Sequence, residues 1–257
     1  MDENEFFKKR IIDLSRTGFE RGIYTYSDFL TLAQQSDLVM LAASGQLYGG
    51  KYVLFGGYEG AERVMASFSD EETIGYDRSW PISCIKITPL NQKFSDELSH
   101  RDVLGSLMNL GLERQLMGDI LLINEPGHIC AYVFVKDHIA KTIIDELTRI
   151  KHTTVSCALV EDIDEIPSPK LSDITLQVKS ERIDLIIAHV YKLSRSQAAG
   201  LFADKKVFIG GRLNENESHL LKEDDLVSVR GYGRFTYRGI SGNTRKGNKV
   251  VTLSLYI

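Results

Sequence analysis

The amino-acid sequence predicts an α+β chain: a small N-terminal α/β domain over residues 1–78, a ferredoxin-like βαββαβ domain over 79–160, a linker and connecting strand over 161–181, and a basic module over 182–257. Three observations predict it. In the middle of the chain, strand-like and helix-like patterns follow one another in the ferredoxin order. At 161–169 an acidic run meets two prolines, Glu-Asp-Ile-Asp-Glu-Ile-Pro-Ser-Pro, which suits neither a helix nor a central strand. Charge divides near the same place: residues 182–257 hold 13 Lys and Arg against 7 Asp and Glu, a surplus of six, while residues 1–181 hold 18 against 28, a deficit of ten. A formal net charge of -4 therefore conceals a basic module on an acidic body, a pattern suited to a polyanion partner.

Bulk composition narrows the class. The 257 residues suffice for two or three domains of about 100 to 150 residues each. A 43% hydrophobic and 26% charged content is that of an ordinary folded protein, so no long disordered section is expected. No apolar run approaches the roughly 20 residues of a spanning helix, and Met1-Asp-Glu-Asn-Glu5 lacks the features of a signal peptide. A cytoplasmic protein without a membrane partner is the expectation. Cys84, Cys130 and Cys157 lie far apart among apolar neighbours, which predicts core thiols and neither disulfides nor zinc. The histidines show no ligand spacing, so neither a metal nor a cofactor is expected, and no small-molecule substrate.

The N-terminal elements follow from local pattern. Phe6 to about Arg16 spaces apolar and charged residues as an amphipathic helix does. Thr25-Tyr-Ser-Asp28 reads as a capping box that starts a second helix at Phe29-Leu30-Thr-Leu32-Ala33. Lys51-Tyr-Val-Leu-Phe55 and Arg63-Val-Met-Ala-Ser-Phe68 read as strands around Gly56-Gly57-Tyr58-Glu59-Gly60.

In the middle domain, Ile82-Ser-Cys-Ile-Lys-Ile87 is a strand, and Ser99-His-Arg-Asp102 caps a helix that stops near Gly111. Asp119-Ile-Leu-Leu-Ile123 and Ile129-Cys-Ala-Tyr-Val-Phe-Val135 form a hairpin about Asn124-Glu-Pro-Gly127. A helix through Ile139, Ile143, Ile144 and Leu147 and a strand at Thr153-Thr-Val-Ser-Cys-Ala-Leu159 close the set. Ile174-Thr-Leu-Gln-Val178 adds a strand before the basic module.

The basic module carries the chemistry. Arg182 to about Tyr191 is a helix that buries Ile183, Ile186, Ile187 and Val190, leaving Arg182 and Asp184 outside the stripe to pair, cap or meet a ligand. In Leu193-Ser-Arg-Ser-Gln-Ala198, Ser194 and Gln197 can cap each other while Leu193 packs on Ala198. That terminus has free N–H donors and a favourable dipole for phosphate, with the Arg195 fork beside it. A plain cap with a solvated arginine fits the same residues. Lys206-Val-Phe-Ile209 and Arg212-Leu213 flank Gly210-Gly211, a hairpin expected to bring Lys205, Lys206 and Arg212 together. Leu226-Val-Ser-Val-Arg230 is a strand, and the following Gly231-Tyr-Gly-Arg-Phe235 bends so that Tyr232 and Arg234 can face a ligand. Tyr232 either stacks on an unpaired base or packs over its glycines. Gly239 to Asn248 reads as a flexible basic loop, and Lys249 to Leu255 as the last strand.

The blocks Arg182-Ile-Asp184, Leu193-Ser-Arg-Ser-Gln-Ala198, Lys206-Val-Phe-Ile-Gly-Gly211 and Glu223-Asp-Asp-Leu-Val-Ser-Val229 resemble, in order and spacing, the S-four (αL-type) RNA-binding domain. That resemblance implies RNA contact by Arg182, Ser194, Arg195, Ser196, Gln197, Lys205 and Lys206. Lys192, Arg212, Arg230, Tyr232 and Arg234 complete the candidate RNA-binding set. Gly210 stands where that family usually has Asn, which the turn tolerates. Asp204 stands where a small or basic residue is common, which weakens phosphate attraction there.

Phe55-Gly-Gly-Tyr58 with Ala61-Glu-Arg63, and His100-Arg-Asp-Val-Leu-Gly105 with Gly118-Asp-Ile-Leu121, are similar to the bacterial YlmH family over nearly the whole length. The resemblance implies a middle domain like an RNA-recognition motif, and binding to large ribosomal subunits blocked by peptidyl-tRNA, with rRNA and tRNA as partners in ribosome-associated quality control. In the middle domain the strand Cys130 to Val135 lacks aromatics at the flanking positions, so the fold can be shared without the base-stacking surface.

Two other classes compete. An RNA-modifying enzyme, such as a pseudouridine synthase, needs a catalytic Asp in an Arg-Leu-Asp type triplet, and the nearest match is Arg182-Ile-Asp184 inside the basic module. No methyltransferase or synthetase signature is found, and a non-catalytic protein is expected. A cell-division scaffold acting through Tyr48, Tyr52 and Tyr58 is the other alternative.

Overall fold

The computed structural model describes residues 3–91, 98–125, 128–161, 166, 171–244 and 247–256. Among them the chain forms seven α-helices and three antiparallel sheets. Two compact units result: 1–31 with 40–168, and 32–39 with 169–257. No helix among the described residues is long and apolar enough to cross a membrane.

In the first unit, α1 (Glu3–Arg21) buries Ile11, Ser15 and Gly18, positions at helical spacing. Gly18 is needed there, since a Cβ would lie 2.9 Å from Ser69 Oγ and 3.0 Å from Thr25 Oγ1. Strands β1 (Thr25–Tyr26), β2 (Tyr52–Phe55) and β3 (Met65–Phe68) form a sheet in the order β1-β3-β2. The expected capping box at Thr25 to Asp28 does not form. Thr25 and Tyr26 pair with Phe68 and Ser67, and Asp28 is held by Arg10 (2.9 Å) and Lys136 (2.7 Å). The second helix, α2 (Leu32–Ala43), therefore starts later. A short α3 (Glu71–Ile74) is capped by Asp70.

The middle of the chain follows with β4 (Ile82–Pro89), α4 (His100–Asn109), β5 (Met117–Glu125), β6 (His128–Lys136), α5 (Asp137–Glu146), β7 (Arg149–Ile150) and β8 (Thr153–Leu159). The strands order as β5-β6-β4-β8-β7. Ser99 and Asp102 cap α4 reciprocally, as their spacing predicts. Pro126 and Gly127 of the expected turn, and residues 162–165 and 167–170 of the expected linker, lie outside the described residues.

Alternation along β6 gives this sheet two buried faces. Ala131, Val133 and Val135 pack with Val103, Leu107, Ile139 and Ile143 of the helices. Cys130, Tyr132 and Phe134 point the other way and pack with Phe29, Tyr58 and Met65 from the N-terminal segment. Gly57 (φ +101°) lies so close to Phe134 that a side chain there would overlap the ring, and a Cβ on Gly118 would lie 2.7 Å from the Phe29 ring. Beside this seam the Asp119 carboxylate accepts hydrogen bonds from Tyr58 Oη (2.7 Å), Glu62 N (2.7 Å) and Arg63 N (3.1 Å). Arg63 donates to the carbonyls of Met117, Phe29 and Arg114, and burial, with Arg114 nearby, lowers its guanidinium pKa to about 10.

The second unit contains β9 (Leu171–Val178), α6 (Ile183–Val190), α7 (Arg195–Ala203), β10 (Val207–Ile209), β11 (Arg212–Leu213), β12 (Leu226–Val229), β13 (Gly233–Asn243) and β14 (Lys249–Tyr256). Its sheet runs β11-β10-β12-β13-β14-β9, so the connecting strand β9 is part of this sheet, paired along its length with β14. Ile183, Ile186 and Ile187 of α6 and Ala198, Leu201 and Phe202 of α7 cover one face, against Val227, Val229, Phe235, Val251 and Leu253.

The expected loop at 239–248 is largely strand. β13 runs to Asn243 opposite Lys249, with register shifts between Tyr237 and Gly242, because pairing with β14 satisfies the backbone that Gly239 and Gly242 leave conformationally free. The turn closes with Thr244 N donating to Asn248 O at 2.8 Å, and Arg245 and Lys246 lie outside the described residues.

Candidate nucleic-acid interface

The α6–α7 turn brings the first group of predicted residues together. Helix α6 ends at Tyr191, and Lys192 takes the left-handed conformation (φ +53°), letting Leu193 N donate back to Ala188 O at 2.9 Å. Ser194 then caps α7: its Oγ accepts from Gln197 N at 3.2 Å, and Gln197 Oε1 accepts from Ser194 N at 2.9 Å. The cap forms as the sequence predicts, with Ser194 Oγ and Ser196 Oγ also in contact at 3.1 Å. Lys192, Ser194, Arg195, Ser196 and Gln197 are all exposed. This terminus joins unpaired backbone donors with two cations.

A second group lies at the ends of β10 and β12. Arg230 N donates to Lys206 O at 2.9 Å, so these two cations are neighbours across the ladder. Lys205 (φ +56°) ends α7 in the left-handed conformation, as Lys192 ends α6. Acidic neighbours temper both lysines: Asp204 Oδ2 lies 2.8 Å from Lys206 Nζ, and Glu215 Oε1 lies 3.7 Å from Lys205 Nζ. Such exposed pairs are weak and open readily to a better anion. The Asp204 departure thus sits where it offsets a candidate cation.

The two groups meet through aromatics. Tyr232, in the turn between β12 and β13, places its ring 5.4 Å from that of Tyr191 at the end of α6. Arg234 lies over the Tyr256 ring at 4.6 Å, a cation–π arrangement within the sheet. Tyr191 was not singled out in the sequence, because its position at the end of an apolar stripe reads as core.

Two predicted residues fall elsewhere. Arg182 is the N-cap of α6, about 14 Å along the helix from Tyr191. Its guanidinium grips Asp184 through Nε (2.9 Å) and Nη2 (3.0 Å), with Glu217 at 4.0 Å, and the Asp184 hydrogen bond raises its pKa. Arg212 stands at the hairpin tip opposite Ile209, about 10 Å from the level of Lys206. The hairpin therefore does not gather Lys205, Lys206 and Arg212, because three residues of extended strand separate base from tip. Gly210 (φ +54°) and Gly211 (φ +77°) form that tip, where an L side chain at either position is strained. Behind it Ser36 Oγ accepts Leu213 N at 3.1 Å, and Gln35 lies against Gly211, contacts that no local pattern signalled.

In the middle domain the sheet face opposite the helices is covered over β6, while Thr154, Ser156 and Ala158 of β8 stay exposed. Phe134 is 0% exposed and Tyr132 4%, and Tyr58 stacks on Phe134 with ring centres 4.8 Å apart. A base cannot reach these rings.

The fold and this surface define an α+β protein whose second unit presents a cationic, partly aromatic face with a capped helix terminus, the chemistry that accepts phosphate. Comparison with known proteins shows what this chain is similar to. A family described as the putative RNA-binding domain in YlmH matches residues 77–163. A Bacillus subtilis protein named ribosome-associated protein quality control protein P2 is 28% identical over 232 residues, covering 88% of this chain and 85% of that protein. A solved structure described as the cell division protein ylmH from Streptococcus pneumoniae aligns with a TM-score of 0.48 at 21% identity, over 65% of this chain and 96% of that one. The chain is YlmH-like.

Proposed function

We propose that this protein binds structured RNA without catalysis, docking through Lys192, Ser194, Arg195, Ser196, Gln197, Lys205, Lys206 and Arg230 on rRNA and tRNA of the large ribosomal subunit. Its role in this reading is quality control of subunits stalled with peptidyl-tRNA. The observation that carries it is the meeting of a capped, exposed helix terminus with cations from two strand ends in a module of surplus positive charge. The ribosome-associated name of the Bacillus subtilis relative supports the ribosomal setting, and the RNA-binding description of the family that matches residues 77–163 supports RNA as a ligand of the chain, with the middle domain as part of its contact.

Base stacking is assigned to the second unit because the usual stacking strand of the middle domain, β6, is covered by Phe29, Tyr58 and Met65. A non-catalytic role is supported by Arg182-Ile-Asp184, the one triplet reminiscent of a modifying enzyme. There the carboxylate is committed to its own arginine at the start of α6. Arg182 enters the proposal as a support for this helix, Arg212 stands apart at the hairpin tip, and Tyr232 and Arg234 belong to the face.

Co-sedimentation with large subunits carrying tRNA tests the reading. The wild-type protein should pellet with them, and Arg195→Ala combined with Arg230→Ala should weaken association about 100-fold, near tenfold per lost phosphate contact. Unchanged association of the double variant overturns it.

A further inference from the structure

The Tyr232 corner specifies more than charge, and the inference drawn from it rests on the RNA-binding reading above. Tyr232 is 46% exposed, the most open tyrosine of the second unit among the described residues, yet its backbone is pinned. Its N–H donates to Val229 O at 2.9 Å, and Gly231 (φ +85°) and Gly233 (φ +126°) flank it in conformations that side-chain-bearing residues rarely adopt. The two glycines leave no neighbouring side chain to cover the ring. Beneath it lies Tyr191, ring centre 5.4 Å away and tilted by 52°, and Tyr191 is itself 6.4 Å from the fully buried Phe235. The three rings make a ladder from core to solvent, so the outermost is held in place before any ligand arrives.

Cations adjoin this corner in the chain and across the ladder. Lys192 follows Tyr191 directly, Arg230 precedes the turn by one residue, and Arg230 adjoins Lys206 across the ladder. A rigid half-open aromatic ring with cations at neighbouring chain positions matches a nucleobase and its flanking phosphates. We propose that Tyr232, supported by Tyr191, is a stacking platform for one unpaired base. The RNA taken by this unit is accordingly a loop, bulge or splayed nucleotide, because in a continuous A-form duplex both faces of every base are already stacked. The cations supply sequence-independent affinity, and the platform supplies the preference for unpaired over paired RNA.

The test uses the full chain and two RNAs of equal length: a hairpin with fluorescent aminopurine in its loop, and a fully paired duplex. Wild-type protein should quench the loop fluorophore on binding and prefer the hairpin. Tyr232→Ala should abolish the quenching and weaken hairpin binding by about tenfold to a hundredfold, leaving duplex binding within about twofold. Tyr232→Phe should behave as wild type, since the ring and not the hydroxyl does the stacking. Tyr232→Ala that retains quenching and hairpin affinity overturns the platform, as does an equal loss on both RNAs. In either case salt-sensitive binding of the wild type to both RNAs leaves the RNA-binding reading standing. Failure of the wild type to bind either RNA overturns both.

Discussion

Arg195 and Arg182 show how residues of one type divide by their partners. Arg195 is exposed at the first position of α7, beside open backbone donors, whereas Arg182 is half-buried and already holds Asp184. Arg195→Ala is expected to reduce RNA affinity by about tenfold and to lower the slope of log affinity against log salt by about one. Arg182→Ala is expected to act mainly on stability, with a small loss, since it leaves the Asp184 carboxylate without its guanidinium. Urea unfolding together with RNA titration separates the two. Equal salt slopes for wild type and Arg195→Ala contradict the first expectation.

A second expectation at this scale concerns acid. Lys151, then Ser99, hold Asp102 from its ordinary 3.8 down to about 2. A carboxyl depressed on folding stabilises fully above its unfolded value, and the contribution fades as pH falls through the folded one. The advantage of the wild type over Asp102→Asn in thermal unfolding should therefore be constant above about pH 5 and vanish between about pH 4 and 2. An advantage that survives below pH 2 contradicts the assignment.

Among elements, those with local causes were legible and those with remote causes were not. Ser194 with Gln197, and Ser99 with Asp102, cap their helices through contacts three residues apart, which spacing alone reveals. Ser194→Ala should cost about 1 kcal/mol and fray α7, measurable as faster amide exchange in its first turn. Thr25 to Asp28 carries the same kind of signal but lost to remote partners: β3 took the backbone, while Arg10 and Lys136 took the carboxylate. The 239–243 segment likewise became strand because β14 lies beside it.

Glycines at the packed seam make the element scale testable again. Gly57→Ala should destabilise the first unit by about 3 kcal/mol or more, combining a positive φ with overlap on Phe134. Gly105→Ala should be tolerated, as nothing lies within 4 Å of the added carbon. Equal urea midpoints for the two variants contradict this account.

At the scale of the whole molecule, charge asymmetry governs how RNA is approached. A surplus of six on residues 182–257 against a deficit of ten on 1–181 draws a polyanion toward the basic module. With about five phosphate contacts the affinity should fall with a log–log salt slope of about −4. A slope near zero would mean an apolar protein interface in place of RNA.

The amino-acid sequence by itself determined most of the succession of helices and strands, the basic module, the two capped helices and the set of candidate cations, because each depends on neighbours a few residues apart or on composition. Tertiary structure alone decided which of those cations share a face. It put Arg230 beside Lys206 and Tyr232 against Tyr191, bound Arg182 to Asp184 at the far end of α6, and placed Arg212 at a hairpin tip. It also covered β6 of the middle sheet with Phe29, Tyr58 and Met65, so that Tyr132 and Phe134 became core. For the Arg230–Lys206 and Tyr232–Tyr191 neighbours and for the covered β6 the physical reason is shared: exposure and proximity depend on strand register and on what covers a face, and both are fixed by residues distant in the chain.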